Sequence, residues 1–270
     1  MVSAELARDV VGILGNVISL FLFMSPVPTF VQIWKKKSVE QFSPAPYLAT
    51  LINCAVWVLY GLPIVHPHST LVWTINGAGT AIEIVYLLLF IIYSDSKKRL
   101  KVLLLVLVEV IFMAVLAILV LTLVHTTKKR TVIVGIVAIV FNAMMYASPL
   151  SVMKLVITTK SVEYMPFFIS LASFANGVAW SAYALIKFDP FILVIHLSLS
   201  LTIYMCDCSS MFSDMGLWFI SQVPNGVGTL FSVAQLILYA VYYRSTQRQI
   251  AARKTDGEVG LTELGEARKT

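Results

Sequence analysis

Asparagine and tryptophan occur in this chain as spaced pairs: Asn53 with Trp57, and Asn176 with Trp180, the second pair 123 positions after the first. Four positions is about one helical turn, so each amide shares a helix face with its indole. A carboxamide offers donors and acceptors without charge, and an indole offers a flat apolar face. Together they suit the hydroxyls and C–H faces of a neutral polyol. Asn76 and Asn225 form a further pair, each opening an Asn-Gly-x-Gly-Thr motif, at 76–80 and 225–229. In hydrocarbon such amides either line a site or bond helix to helix, and the indoles either bound a site or serve packing and interfacial anchoring.

No bond-breaking chemistry is written beside them. A nucleophile–base constellation and a Gly-x4-Gly-Lys-Ser/Thr phosphate loop are both missing. The three cysteines, Cys54, Cys206 and Cys208, are too few and too badly spaced for a zinc site or a disulfide framework. The sequence therefore points to a binding or transport role without cofactor or metal, and away from an enzyme.

The 123-residue register reaches well beyond the amides. Ser25-Pro26 returns as Ser148-Pro149, and Lys37-Ser38-Val39-Glu40 as Lys160-Ser161-Val162-Glu163; residues 12–60 give 14 identities in 49 pairs. Shared apolar composition would not place the matches so well, so the chain is a duplicated unit. Its solvent is lipid: 59% of residues are hydrophobic and 13% charged, where a water-soluble domain carries about 25% charge. Seven runs, at 10–34, 46–65, 70–94, 102–124, 131–153, 167–186 and 224–243, are charge-free or nearly so. Each has the roughly 20 residues a helix needs to cross about 30 Å of hydrocarbon. Alternation at period two is absent, which disfavours a barrel and makes the fold class an all-α membrane bundle.

A net charge of +6 can mark a nucleic-acid binder, but these cations cluster at the ends of apolar runs, where they set topology. With the N-terminus outside, the inner side collects 15 of the 20 Lys and Arg; the outer side keeps Arg8, Lys128, Lys129, Arg130 and Lys187. The expected orientation is an extracellular N-terminus and a cytoplasmic C-terminus, with membrane lipid and no nucleic acid as partner. The first apolar run is itself half of the repeat, so no cleavage is expected. The polar tail, 246–270, reads as disordered.

Parity accounts for the unpaired helix. Three crossings leave the chain on the wrong side to begin an identical unit, and one added crossing restores it. The chain divides into a first three-helix repeat at 1–95, a linker helix and loop at 96–130, a second repeat at 131–245 and the tail.

Three helices, a linker and three helices, with Pro26, Pro46, Pro149 and Pro166 near the inner ends, resemble the plant SWEET (MtN3/saliva-type) sugar transporters, themselves a standing example of parallel repeats. The resemblance spans roughly residues 5–193 and 223–245. It implies a bidirectional, facilitative carrier of a small neutral sugar in the plasma membrane, assembled with itself or with related transporters. Residue by residue, it implies that Asn53, Trp57, Asn76, Asn176, Trp180 and Asn225 line the sugar site. Leu22 and Met145 bound that site, their bulk implying a hexose such as glucose. Tyr60 and Asp189 match an outer gate, and the four prolines an inner hinge and gate. The intramembrane carboxylates Glu83 and Glu109 have no mate in the other repeat, which favours facilitated diffusion over proton coupling.

Against that family, residues 194–222 are extra. Removing these 29 positions leaves a junction like the family's, and the block begins with Val and ends with Gln, residues whose codons fit intron borders. It reads as a retained intron forming an outer-side excursion. Two alternatives stand at this point: a splice isoform impaired in transport by the insertion, and a non-transporting receptor on the same PQ-loop-type fold.

Overall fold

The computed structural model describes residues 4–145, 147–186 and 209–267, with side chains described over 226–255 of the last stretch. The described residues fold as an all-α bundle. Its first apolar run is not one straight rod: α1 (Ala4–Phe23) stops, a turn occupies residues 24–26, and α2 (Val27–Lys36) resumes the path. Pro26 and Pro28 bring no N–H to a helical ladder. The turn closes through tighter bonds instead, Ser25 N donating to Leu22 O and Val27 N to Met24 O, both at 3.0 Å.

α3 (Ala45–Gly61) carries Pro46 in its first turn, where an N–H would be orphaned anyway. Then come α4 (Thr70–Tyr93), α5 (Ser96–Leu123), α6 (Thr127–Met145), α7 (Ala147–Thr159), α8 (Phe167–Leu185) and α9 (Ser209–Ala267). Six stretches are long and apolar enough to cross a membrane, the outer pair of fragments in each half counting as one; α3, at 17 residues, is a shorter apolar helix.

The basic stretch between the apolar runs 70–94 and 102–124 is helical from Ser96. Asp95 caps it, its side chain accepting from Lys98 N at 2.9 Å. Arg99 then reaches back to the last carbonyls of α4, Nε to Ile91 O at 3.0 Å and Nη2 to Ser94 O at 3.1 Å. Arg130 does the same for α5, donating to Val124 O at 2.7 Å and Leu121 O at 3.1 Å. Cations that a sequence places at a membrane edge thus also cap carbonyls left open at helix ends.

The tail departs from expectation too, since α9 continues helically to Ala267. Thr246 Oγ1 accepts from Val162 N at 2.8 Å, Gln249 Nε2 donates to Thr159 O at 3.1 Å, and Arg253 pairs with Glu163 at 2.6 Å. Polar composition suggested disorder, but these side chains have partners on the loop between α7 and α8.

α4 packs on α1, α2 and α3, and α9 packs on α6, α7 and α8; across the middle, α1 lies on α8 and α3 on α6, with α5 against α3, α4 and α6. One apolar core, including Ile52, Val56, Leu59, Val65, Val120 and Val134, joins α3, α5 and α6 at the end of the bundle that carries His66. A second, including Phe30, Ile33, Leu48, Tyr86 and Phe90, lies toward the opposite end, that of Lys37. The remaining apolar surface faces outward, as on α5 at Leu107, Val108, Val110 and Ile111, which suits lipid.

The two Lys-Ser-Val-Glu copies fold alike. Lys37 and Lys160 both take left-handed backbone, φ 54° and 53°. Their Nζ atoms donate to Tyr93 OH at 3.4 Å and Tyr242 OH at 3.1 Å. Ser38 Oγ accepts from Glu40 N, Ser161 Oγ accepts from Glu163 N, and Val39 and Val162 are buried as plugs.

Candidate functional site

The amide and indole of α8 are tied to α1. Ser19 Oγ donates to Asn176 Oδ1 at 2.6 Å and accepts from Trp180 Nε1 at 3.1 Å. Close approach of the two helices makes this possible: a Cβ on Gly15 would come within 3.1 Å of the Trp180 ring. The four-residue spacing does what it promised, since one hydroxyl serves both side chains.

The matched pair on α3 is built differently. Asn53 Oδ1 is buried without a hydrogen-bond partner, so its acceptor capacity is unspent. Asn76 Nδ2 turns back to Val72 O, one turn earlier in α4, at 2.9 Å. The indoles keep a common geometry: Trp57 meets Tyr60 edge to face at 5.2 Å and 72°, and Trp180 meets Tyr183 at 5.3 Å and 73°.

A cavity of about 460 Å³ begins at Asn176 and extends toward the Lys37 end, bounded by Leu22, Met145, Pro149, Tyr164 and Pro166. Its size falls in the ordinary range of small-molecule sites. It brings together Asn176, both bulky residues matched to pocket boundaries and two of the four prolines; Asn53, Trp57, Asn76 and Trp180 are not among its walls. Pro26 sits at the break between α1 and α2, and Pro46 in the first turn of α3. Asp189 lies outside the described residues, as do Cys206 and Cys208, the side chain of Asn225 and residues 194–208.

Sequence reasoning passed over Asn142, Ser170, Ser173 and Gln235, which also face the cavity. A signal existed for one of them. Asn142 follows Ser19 by 123 positions, and each stands three residues before the bulky Leu22 or Met145.

At the opposite end Tyr60 is buried, stacked on His66 with centroids 4.9 Å apart. The His66 imidazole is pushed down to about 4, first by burial, then by the nearby Arg8 and His68. Its neutral form is the one the fold prefers, so the stabilisation is fully present above the ordinary value of 6.5 and is lost as pH falls from there toward about 4. Detergent-purified protein is expected to lose unfolding temperature between pH 7 and 4.5, and His66→Gln to remove part of that slope. Equal slopes in the two proteins would contradict this.

These features define an α-helical, multi-pass membrane protein with a solute-sized cavity walled by its second half and by Leu22 of the first. A family profile described as "Sugar efflux transporter for intercellular exchange" matches residues 9–98 and again 132–212. The bidirectional sugar transporter SWEET7 of Arabidopsis thaliana is 56% identical over 260 residues, covering 96% of this chain and 90% of its own length. The bidirectional sugar transporter SWEET4 of Oryza sativa subsp. indica is 54% identical over 254 residues, covering 94% and 87%. The 3.7 Å structure of a eukaryotic SWEET transporter superposes with a TM-score of 0.76 at 34% identity, covering 89% of this chain and 99% of that one. The chain belongs to the MtN3/SWEET family.

Proposed function

We propose that this chain carries sugars across a membrane in both directions, down their gradient, by alternating access between two three-helix repeats joined by α5. The observation that carries the reading is the 460 Å³ cavity beside Asn176, which lies on the Lys37 side of the bundle, while at the His66 end α3, α5 and α6 are packed together by aromatic and apolar side chains and the cavity beside α1 is about half that size. That is the arrangement of a carrier open to one side.

Asn53, Asn76, Asn176 and Asn225 supply uncharged hydrogen bonds to sugar hydroxyls, and Trp57 and Trp180 supply faces for the ring. The unpartnered Asn53 Oδ1 is an acceptor in wait for such a hydroxyl. Leu22 and Met145 stand where the cavity is bounded, and their bulk favours a hexose such as glucose over a disaccharide. The prolines hinge the Lys37 end, which faces the cytoplasm, and the membrane is the plasma membrane. Tyr60 and Asp189 close the outer end, and several protomers assemble together.

Support comes from relatives whose names say bidirectional sugar transporter, and from a family profile that matches twice, its second start 123 residues after its first. The solved relative is matched almost end to end while about a tenth of this chain has no counterpart in it, as either an added segment such as 194–222 or the polar tail would leave. An isoform impaired by that segment is therefore the second reading.

Uptake and efflux of radiolabelled glucose, fructose and sucrose in transporter-deficient cells, for the chain with and without 194–222, tests both. Glucose flux in both directions is expected, with sucrose slower. Flux restored only by deleting the segment selects the impaired isoform, and absence of flux in either form overturns the carrier. In the shortened form, Asn76→Ala and Asn225→Ala are each expected to lower hexose flux; undiminished flux would remove the amides from the site.

A further inference from the structure

At the His66 end the two seams between the halves are fastened by different chemistry. In the 123-residue register Thr131 of α6 takes the place that Arg8 holds in α1, and Tyr60 of α3 the place of Tyr183 in α8. The α3–α6 seam is closed by a buried hydroxyl, an arginine at its rim and an apolar core. Thr131, 2% exposed, donates to Val65 O at 2.5 Å, and Arg130 beside it donates to Ile64 O at 3.1 Å. Val120 of α5 packs over the same seam with Val56 and Val134.

The α1–α8 seam is held at this end by Arg8. Its guanidinium carbon lies 4.2 Å from the centre of the Tyr183 ring, and Nη1 reaches His68 O at 3.5 Å, the outer limit of a hydrogen bond. Arg8 Nε is buried with no partner. Under the cation, Gly12 lets α1 close on its neighbours: a Cβ there would come 2.6 Å from Leu71 and 2.8 Å from Tyr183. A cavity of about 240 Å³ opens beside this contact, between Glu5, Arg8 and Asp9 of α1 and His68, Thr70 and Leu71 at the start of α4, with Tyr183 as its one wall from α8. Deeper in the same seam stand Ser19, Asn176 and Trp180.

We infer that Arg8 is the clasp of the entry seam: solute reaches the site from the His66 end by parting α1 from α8, the guanidinium leaving the Tyr183 ring, while α3 and α6 stay together under α5. Three observations converge on this side. The cation–ring pair lies at a water-accessible edge, a cavity beside it already reaches both partners, and deeper along α1 and α8 stands the hydroxyl that organises Asn176 and Trp180. Glu5, one helical turn before Arg8, offers the released cation a carboxylate. On the other seam, opening would break the buried Thr131 bond and uncover an apolar core at once. Arg8 is a positioning residue for the transport cycle, and its assignment rests on the carrier reading.

The experiment uses the full chain in intact cells, with Cys206 and Cys208 changed to serine and Leu71→Cys of α4, which meets α1 at Gly12 beside the Tyr183 ring, as reporter for the Arg8 side. A second reporter, Val134→Cys, serves the α3–α6 seam. Labelling by a membrane-impermeant maleimide added outside is followed in time. Arg8→Gln is expected to raise the Leu71→Cys labelling rate about threefold to tenfold, the scale of one lost cation–ring contact, and to leave Val134→Cys unchanged. Arg8→Lys, which keeps a cation over the ring, stays within about twofold of the parent. Tyr183→Leu repeats the Arg8→Gln result from the other partner, so a poorly folding Arg8→Gln does not decide the matter. Unchanged Leu71→Cys labelling in both variants, or equal increases at both reporters, overturns the clasp. Labelled glucose uptake by the parent chain in the same cells tests the carrier reading separately, since seam labelling is read whether or not sugar moves.

Discussion

Asn176→Ala will lower hexose uptake by about tenfold to a hundredfold at unchanged surface abundance. A loss of that size corresponds to a buried hydroxyl left without its partner, about 1–3 kcal/mol. Asn176 is where two requirements meet: it faces the cavity, and Ser19 fixes the direction of its amide by holding Oδ1 at 2.6 Å. With the oxygen engaged, the amide N–H groups remain for an acceptor on the solute. Ser19→Ala separates presence from placement. It leaves the amide in the wall but releases it, and also removes the acceptor of Trp180 Nε1, so a smaller loss of about threefold is expected. The loss should fall on KM more than on the maximal rate if only orientation suffers. Uptake by Asn176→Ala equal to that of the parent would take Asn176 out of the site.

Gly61→Val will prevent accumulation of folded protein, and Gly61→Ala will lower the unfolding midpoint in detergent by more than about 5 °C. At the end of α3 a Cβ on Gly61 would lie 2.8 Å from the backbone N of Trp73 and 3.1 Å from its Cα. Backbone cannot rotate aside as a side chain can, so the two helices must separate. What they would uncover is the core of Leu59, Tyr60 and Val65, at a cost of about 1–3 kcal/mol for the smallest added group and more for a branched one. Gly77→Ala is the control, because a methyl group there would meet nothing within 4 Å, and its midpoint should stay that of the parent. A Gly61→Ala protein as stable as the parent would show that α3 and α4 are not packed backbone to backbone there.

Much of the fold was legible because hydrocarbon imposes a simple rule on composition. Runs such as 70–94 and 102–124 have no alternative in lipid to a helix with every backbone group paired. The matched amides and indoles were legible for another reason: duplication prints the same spacing twice. What stayed hidden were contacts whose partners are far apart in the chain. Ser19 is one such residue, since its bonds to Asn176 and Trp180 span 157 and 161 positions. The polar residues after 245 looked unable to order themselves; Thr246, Gln249 and Arg253 order by meeting the 159–163 loop. Arg8 counted only as an outer charge until its ring partner was visible. Periodicity reports which face a side chain occupies, not which distant residue that face meets.

The twin brackets of Lys37 on Tyr93 and Lys160 on Tyr242 have a mechanical consequence. A proline break by itself makes a loose elbow, but an elbow whose forearm is pinned at the wrist acts as a lever. In a carrier that alternates, a swing at Pro26 or Pro149 would then travel through α2 or α7 into α4 at Tyr93 or α9 at Tyr242, and each half would turn as a stiff paddle. Bulk attached to either lysine would brake that stroke from the membrane face without touching the sugar.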